Sequence, residues 1–306
     1  MHRTGNLPTI LCVKKTGITL LYLILIYIIL LTPLSACKKA PVNEILQREI
    51  TLLEEEVAQN PNDLNKKIDL ALLYSDAGLH NKAESELRAV LELEDSHQGA
   101  LLALGYVYIN MESYQAALEP YGKIVELNKD NPMRYISRQL ESVYYYMGVA
   151  YFNLDDYENA ILSLQEALVI DRTDADAWYM LGNACRHSED FQGAIESFQQ
   201  AVRFVPDFKE AYQGLALCYK ETGQAELALY AQAMVDYCSG MTDKAISQME
   251  QVVSVNQNFA EVYLGLGLAY EKKGEIDKAI DAYEQASILN PDLWLAQAKA
   301  EALRSR

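Results

Sequence analysis

Proline and glycine are scarce in this 306-residue chain, at 8 and 15 residues, and tryptophan scarcer still at 2. So little backbone punctuation, with half of the residues hydrophobic, excludes a disordered or low-complexity chain and leaves an ordered helical one. Positive charge is the second shortage. Lys and Arg number 26 against 43 Asp and Glu, a formal net charge of -17. Such a polyanion lacks the cations that nucleic-acid phosphates require, so nucleic acid is not expected as a partner, and anionic lipid headgroups repel it. Partners with basic segments are favoured. The histidines His2, His80, His97 and His187 are scattered without metal-ligand spacing, so neither a metal nor a cofactor is expected. Acidic runs such as Glu54-Glu55-Glu56 read as solvated helix faces, and no converging set of catalytic groups appears.

Long apolar runs are also absent, with one exception. Arg3, Lys14 and Lys15 form a basic region without an acid, and the 14-residue run ITLLYLILIYIILL follows from Ile18 to Leu31. Thr32 and Pro33 end it, and Leu34-Ser35-Ala36-Cys37 comes next. A basic stretch, an apolar run and small residues form the pattern of an export signal. The run is short for a membrane span, although the uncharged stretch from Thr16 to Ala36 could just cross a bilayer as an uncleaved signal anchor. Leu34-Ser35-Ala36-Cys37 resembles a bacterial lipoprotein lipobox. The resemblance implies a diacylglycerol on the Cys37 thiol, cleavage before Cys37, and acyl chains such as palmitate that tether the mature chain to a membrane. Cleavage there removes three positive charges and no negative one, so the mature chain is more acidic still.

The rest of the chain repeats itself. With each unit counted from position 1, units begin at Leu64, Gln98, Glu141, Ala175, Lys209, Glu226 and Ala260. Position 8 is always small: Ala71, Gly105, Gly148, Gly182, Ala216, Ala233 and Gly267. Position 20 is always Ala, from Ala83 to Ala279. Small residues at both positions let two helices cross closely. Position 11 is Tyr in five units, Tyr74, Tyr108, Tyr151, Tyr219 and Tyr270, where a ring fills space between pairs and a hydroxyl can reach a partner. Position 15 is Gly in four, Gly78, Gly223, Gly240 and Gly274, as the left-handed end of a first helix requires. Pro206 and Pro291 at position 32 stop a second helix.

These residues resemble the tetratricopeptide repeat (TPR), most closely in the unit at Ala175 with Trp178, Leu181, Gly182, Ala194, Phe198, Ala201 and Pro206. The resemblance implies an all-α fold, a right-handed superhelical solenoid of helix-turn-helix repeats over residues 64–292. It leaves residues 37–63 as tether and N-terminal capping helix and 293–306 as C-terminal capping helix. In the first cap, Leu46, Ile50, Leu53 and Val57 share a face.

The register breaks twice. Nine extra residues separate Gln98 and Glu141 from a normal spacing. They begin near Asp130-Asn131-Pro132 and include Met133-Arg134-Tyr135, so the next helix is expected to start early and run long. Lys209 and Glu226 are only half a unit apart, so the helix near Glu226–Tyr237 is expected to serve two pairs at once. Gly265-Leu266-Gly267 looks like the start of a dinucleotide loop, but Tyr270 stands where a third Gly belongs, and both glycines are repeat positions. Cys185, Cys218 and Cys238 are an odd set and no disulfide framework. Cys185 reads as a core residue, and a Cys185–Cys218 bridge is conceivable but disfavoured by helix spacing.

In this family the first helices line a concave face through positions 2, 5, 6, 9, 12 and 13. Here those positions carry Tyr145, Tyr146, Tyr179, Asn183, Arg186 and Tyr230 as candidate partner-binding residues, with Tyr106, Met180, Met234 and Leu217 on the same face. Relatives that clamp a carboxylate use Lys and Asn there. Only Asn183 matches at positions 5 and 9, which argues against a clamp. The face suits an apolar helix or extended peptide, or else is covered by the superhelix or its own terminal helix. The function expected is a membrane-tethered scaffold, not an enzyme, on the extracytoplasmic side of a cell envelope, by analogy with pilus-assembly and peptidoglycan-machinery lipoproteins. The alternative is an accessory or regulatory subunit that presents a substrate to a catalytic partner.

Overall fold

The computed structural model describes residues 42–305. The export signal, Cys37 and Arg306 lie outside the described residues. The chain divides into two compact units, residues 1–46 and 47–306. Of the first only residues 42–46 are described, and the account below concerns the second.

Among the described residues the fold is all-α, in fifteen helices. They are α1 (Val42–Gln59), α2 (Leu64–Asp76), α3 (His80–Leu93), α4 (Gln98–Asn110), α5 (Tyr114–Asn128), α6 (Arg138–Asn153), α7 (Tyr157–Ile170), α8 (Ala175–His187), α9 (Phe191–Phe204), α10 (Lys209–Glu221), α11 (Ala225–Cys238), α12 (Thr242–Val255), α13 (Ala260–Lys273), α14 (Ile276–Leu289) and α15 (Trp294–Arg304). From α2 onward each helix packs on the next. First helices also touch along the stack: α2 with α4, α4 with α6, α6 with α8, and α8 with α10. The row then passes to α11, which touches α13. Helix α11 therefore closes the pair begun by α10 and opens the pair completed by α12.

The turns repeat with the sequence. The described residues with positive φ are the four glycines at position 15 and, in the other three units, Glu112, Asp155 and Glu189 at the same position. In every unit the N–H of position 16 donates to the carbonyl of position 11, from Leu79 to Tyr74 (2.7 Å) through Asp190 to Cys185 (2.9 Å) to Glu275 to Tyr270 (2.9 Å). This closes the first helix and fixes the angle at which the second departs.

Close crossing then depends on absent side chains. A Cβ on Gly182 would stand 2.6 Å from the Phe198 ring, and one on Gly214, from the next first helix, 2.5 Å from the same ring. The residue at position 24 of a second helix thus wedges between position 8 of its own first helix and position 6 of the next. Gly265 and Gly267 do the same for Met249 and Tyr283, so they are packing positions rather than a phosphate cradle. The position-20 alanines are all buried. Tyrosines at position 11 join neighbouring units: the Tyr74 hydroxyl donates to Glu54 (2.5 Å), that of Tyr108 to Glu84 (2.9 Å) and that of Tyr270 to Glu250 (2.7 Å), while Tyr219 accepts from Gln199 (3.0 Å).

The insertion between α5 and α6 is not helix throughout. Arg134–Ile136 forms a separate 3-10 turn, the Ser137 hydroxyl accepts from the Leu140 N–H (3.3 Å), and α6 begins there, three residues ahead of its unit. The end helices cap the stack: Ile50 of α1 is buried, and α15 buries Ala296, Ala300 and Leu303 while Arg304 pairs with Glu284.

Two stability changes follow. Glu189→Gly relieves an L-residue held at φ 66, so urea titration should show a gain of about 0.5–1 kcal/mol. Gly182→Val overfills the Phe198 contact and should lose about 1–3 kcal/mol in the same measurement.

Candidate protein-binding face

The row of first helices places α4, α6 and α8 side by side. Helix α6 carries Tyr144-Tyr145-Tyr146, and Tyr146 is the hub of an aromatic cluster drawn from three helices. Its ring meets Tyr106 of α4 edge-on (5.9 Å between centroids), Tyr145 edge-on (5.3 Å), and Tyr121 of α5 in parallel (6.1 Å, 9°). The repeat explains the last contact. Tyr121 stands at position 24 over Gly105, and position 6 of the next unit, a glycine at Gly214, is here Tyr146. Tyr106, Tyr145 and Tyr146 are half-buried, and Tyr121 is fully buried.

On α8, Tyr179 is half-buried against Phe208 (5.0 Å) and Phe198 (5.9 Å). Asn183 is half-buried one turn on. Arg186 meets the His187 ring nitrogen Nε2 at 2.8 Å through Nη2, while its Nε is buried without a partner. Arg186, His187, Glu189, Phe191, Leu217 and Glu221 line a cleft of about 310 Å³, where Leu217 is 49% exposed. The expected residues of α6 and α8 are thus all half-buried, on two first helices that touch.

Tyr230 does not join them. The side chain is only 8% exposed, held between Tyr212 (6.3 Å) and Phe259 (5.1 Å), and Met234 is 1% exposed. Both belong to α11. On a helix packed on α10 as a second helix and on α12 and α13 as a first, these two side chains fall on covered sides. Asp236 is buried on the same helix and pairs with Lys244 (3.0 Å). Tyr121 was the residue that reading by groove positions passed over, since position 24 belongs to the core.

Burial above all keeps the Tyr145 and Tyr146 hydroxyls protonated. Burial, then Tyr106, Glu141 and Asp174, push the Tyr146 hydroxyl up to about 12. Burial, then Asp176, Tyr146, Asp174 and Glu141, push Tyr145 well up as well. Burial and Arg186 hold His187 below the usual imidazole range. The thiols of Cys185, Cys218 and Cys238 are free, each pushed up to about 11 by burial first, so none is a poised nucleophile.

Tetratricopeptide-repeat models match residues 68–132, 148–186, 175–208 and 260–293. The chain belongs to the TPR family. A chloroplastic TPR domain-containing protein of Arabidopsis thaliana, PYG7, is 34% identical over 64 residues, which span 21% of this chain and 21% of that relative. Among solved structures, MamA from Desulfovibrio magneticus RS-1 is similar with a TM-score of 0.53 and 19% identity over 59% of this chain and 97% of its own. A double mutant of RS-1 MamA gives a TM-score of 0.53 and 20% identity over 60% and 97%. At those identities the likeness is one of fold. TPR stacks are scaffolds for protein–protein interaction, and that is the class of function this chain has.

The raised hydroxyl of Tyr146 has a measurable consequence. A phenol whose folded value lies above its unfolded one, about 10, adds stability that is complete below that pH and is lost as pH rises through the folded value. Alkaline titration followed by tyrosinate absorbance should show Tyr146→Phe losing amplitude only in the late phase, near 12.

Proposed function

We propose that this TPR protein is a membrane-tethered scaffold that holds a protein partner on the α6–α8 face and works in a cell-envelope assembly, outside the cytoplasm. The observation that carries the docking face is the shared partial exposure of Tyr145, Tyr146, Tyr179, Asn183 and Arg186 on two adjacent first helices. Tyr and Arg are the side chains that anchor interfaces, because they bring large contact area with few rotors to freeze. Arg186 adds a buried Nε with a hydrogen bond still to give.

The tether rests on the sequence before residue 42. Leu34-Ser35-Ala36-Cys37 closes the apolar run, and Cys37 would carry the lipid. No helix of the described residues is long and apolar enough to cross a membrane, so attachment in this reading depends wholly on that segment. Several acyl chains hold a protein firmly where a single chain binds reversibly. An acidic mature chain held this way stands off an anionic surface and presents its helix faces to other proteins.

Two experiments test the two parts. Mass spectrometry of the mature N-terminus should find residue 37 first and acylated, and Cys37→Ala should release the protein from membranes; an intact 1–36 segment would replace the lipid with a signal anchor. Crosslinking in the native organism should lose its main protein adducts when Tyr146, Tyr179 and Arg186 are replaced together by Ala, with the helical circular dichroism retained. Unchanged adducts would sink the docking face.

A further inference from the structure

The insertion that breaks the repeat coincides with a break in the outer surface of the stack. Outside the shared helix α11, position 22 of the other second helices is polar, at Ser85, Glu119, Glu196, Ser247 and Asp281. On α7 it is Leu162, 54% exposed. Position 29 is Glu92, Glu126, Arg203 or Ser254 in other units, whereas α7 carries Val169, which is exposed; Ile288, near the far end, is the other apolar residue there outside α11. Leu162, Glu166 and Val169 follow at helical spacing, and all three are exposed, so they share the outward side of α7.

The 3-10 turn Arg134–Ile136 packs on this same helix. The Arg134 guanidinium is raised first by Tyr135 and also by Tyr144 of α6 and Glu166 of α7, which puts the turn on the Glu166 side of α7. The insertion adds Met133, Tyr135 and Ile136, 68% exposed in the last case, with Arg134 laid over the Tyr135 ring (4.5 Å). These three and the two of α7, each about half exposed or more, offer on the order of 500 Å² of apolar surface. That is as large as the largest patch of an ordinary monomer, and most of one side of a standard interface, about 800 Å².

The charge around the patch says what covers it. Lys129, Arg134 and Arg138 stand with Asp130 and Glu166, a near balance in a chain of net charge -17. Two copies of so acidic a chain repel each other least where charge is balanced. Asp130 and Arg138 lie at either end of the insertion. Both side chains are exposed, and neither makes an ion pair or hydrogen bond among the described residues. A twofold contact must be self-complementary, because the same patch supplies both sides. A free anion and a free cation flanking one apolar patch meet that condition with a second copy of the chain.

We propose that the outer patch of Met133, Tyr135, Ile136, Leu162 and Val169 is the interface of a twofold homodimer, in which Arg138 of each copy pairs with Asp130 of the other. This goes beyond the docking reading, which concerns the first helices α6 and α8. A dimer carries two docking faces, so the scaffold becomes bivalent.

The test is sedimentation velocity of the full chain in excess mild detergent at about 10 µM, where a Kd near 1 µM leaves mostly dimer. The wild-type chain should sediment as a dimer. Ile136→Glu combined with Leu162→Glu should give a monomer with unchanged helical circular dichroism. Arg138→Asp alone sets two like-charge pairs across the axis, and so does Asp130→Arg alone; each should raise the dimer Kd about tenfold. Both exchanges together restore the two pairs with their signs swapped, and Kd should return to within about threefold of wild type. A wild-type monomer overturns the inference and leaves the patch to a different protein. A dimer that survives the two glutamates overturns it as well, since lipidated chains sharing a micelle behave that way. A double exchange no tighter than the single ones overturns the twofold pairing.

Discussion

The side chain at position 24 of each second helix lies against position 8 of its own first helix, and at Gly105, Gly148, Gly182 and Gly267 the fit leaves no space for a Cβ. Much else in the stack is placed by that contact. It sets how near the two helices of a pair approach, and the ring then protrudes far enough to meet position 6 of the following pair. One side chain thus sets both spacings, within a unit and between units. In a solenoid whose main contacts among the described residues run between neighbouring units, this is where register is held.

The same contact makes the candidate face. At α10 the position-6 residue is Gly214 and the Phe198 ring is simply enclosed. At α6 it is Tyr146, which meets the Tyr121 ring in parallel. A core position has become the inner layer of a surface cluster by one change of residue at the adjoining helix. The junction there is also the one stretched by the insertion with its 3-10 turn at Arg134–Ile136.

Most of the architecture was legible because repetition makes each unit a check on the others. The small residues at positions 8 and 20, the double role of the half-unit helix and the repeat meaning of Gly265 and Gly267 all stand out when units are aligned. The turns were legible only in part. Gly78, Gly223, Gly240 and Gly274 advertise a left-handed residue, but Glu112, Asp155 and Glu189 adopt the same φ with no compositional sign, because the hydrogen bond closing each turn fixes the backbone whatever the side chain. Tyr230 was misplaced for a different reason. Position numbering assigns it to an open face, whereas a helix shared between two pairs has both sides covered. Tyr121 escaped because a tyrosine at a core position reads as a large apolar ring until its hydroxyl is followed.

The tyrosines at position 11 show where the stack is bound most firmly. Tyr74, Tyr108, Tyr219 and Tyr270 each reach a polar side chain on the preceding second helix. Three units lack the link, and the one headed by α11 has Asp236 at position 11, paired with Lys244 of its own unit (3.0 Å). Tyr151 has the insertion where the earlier helix would supply a partner, and among the described residues its hydroxyl makes no hydrogen bond; Cys185 has no hydroxyl to offer. The units of Tyr151 and Cys185 are headed by α6 and α8, the helices that carry the candidate face. At the second of those interfaces rings take the place of the hydroxyl: His187 of α8 meets Phe152 of α6 (5.2 Å) and Tyr157 of α7 (5.3 Å).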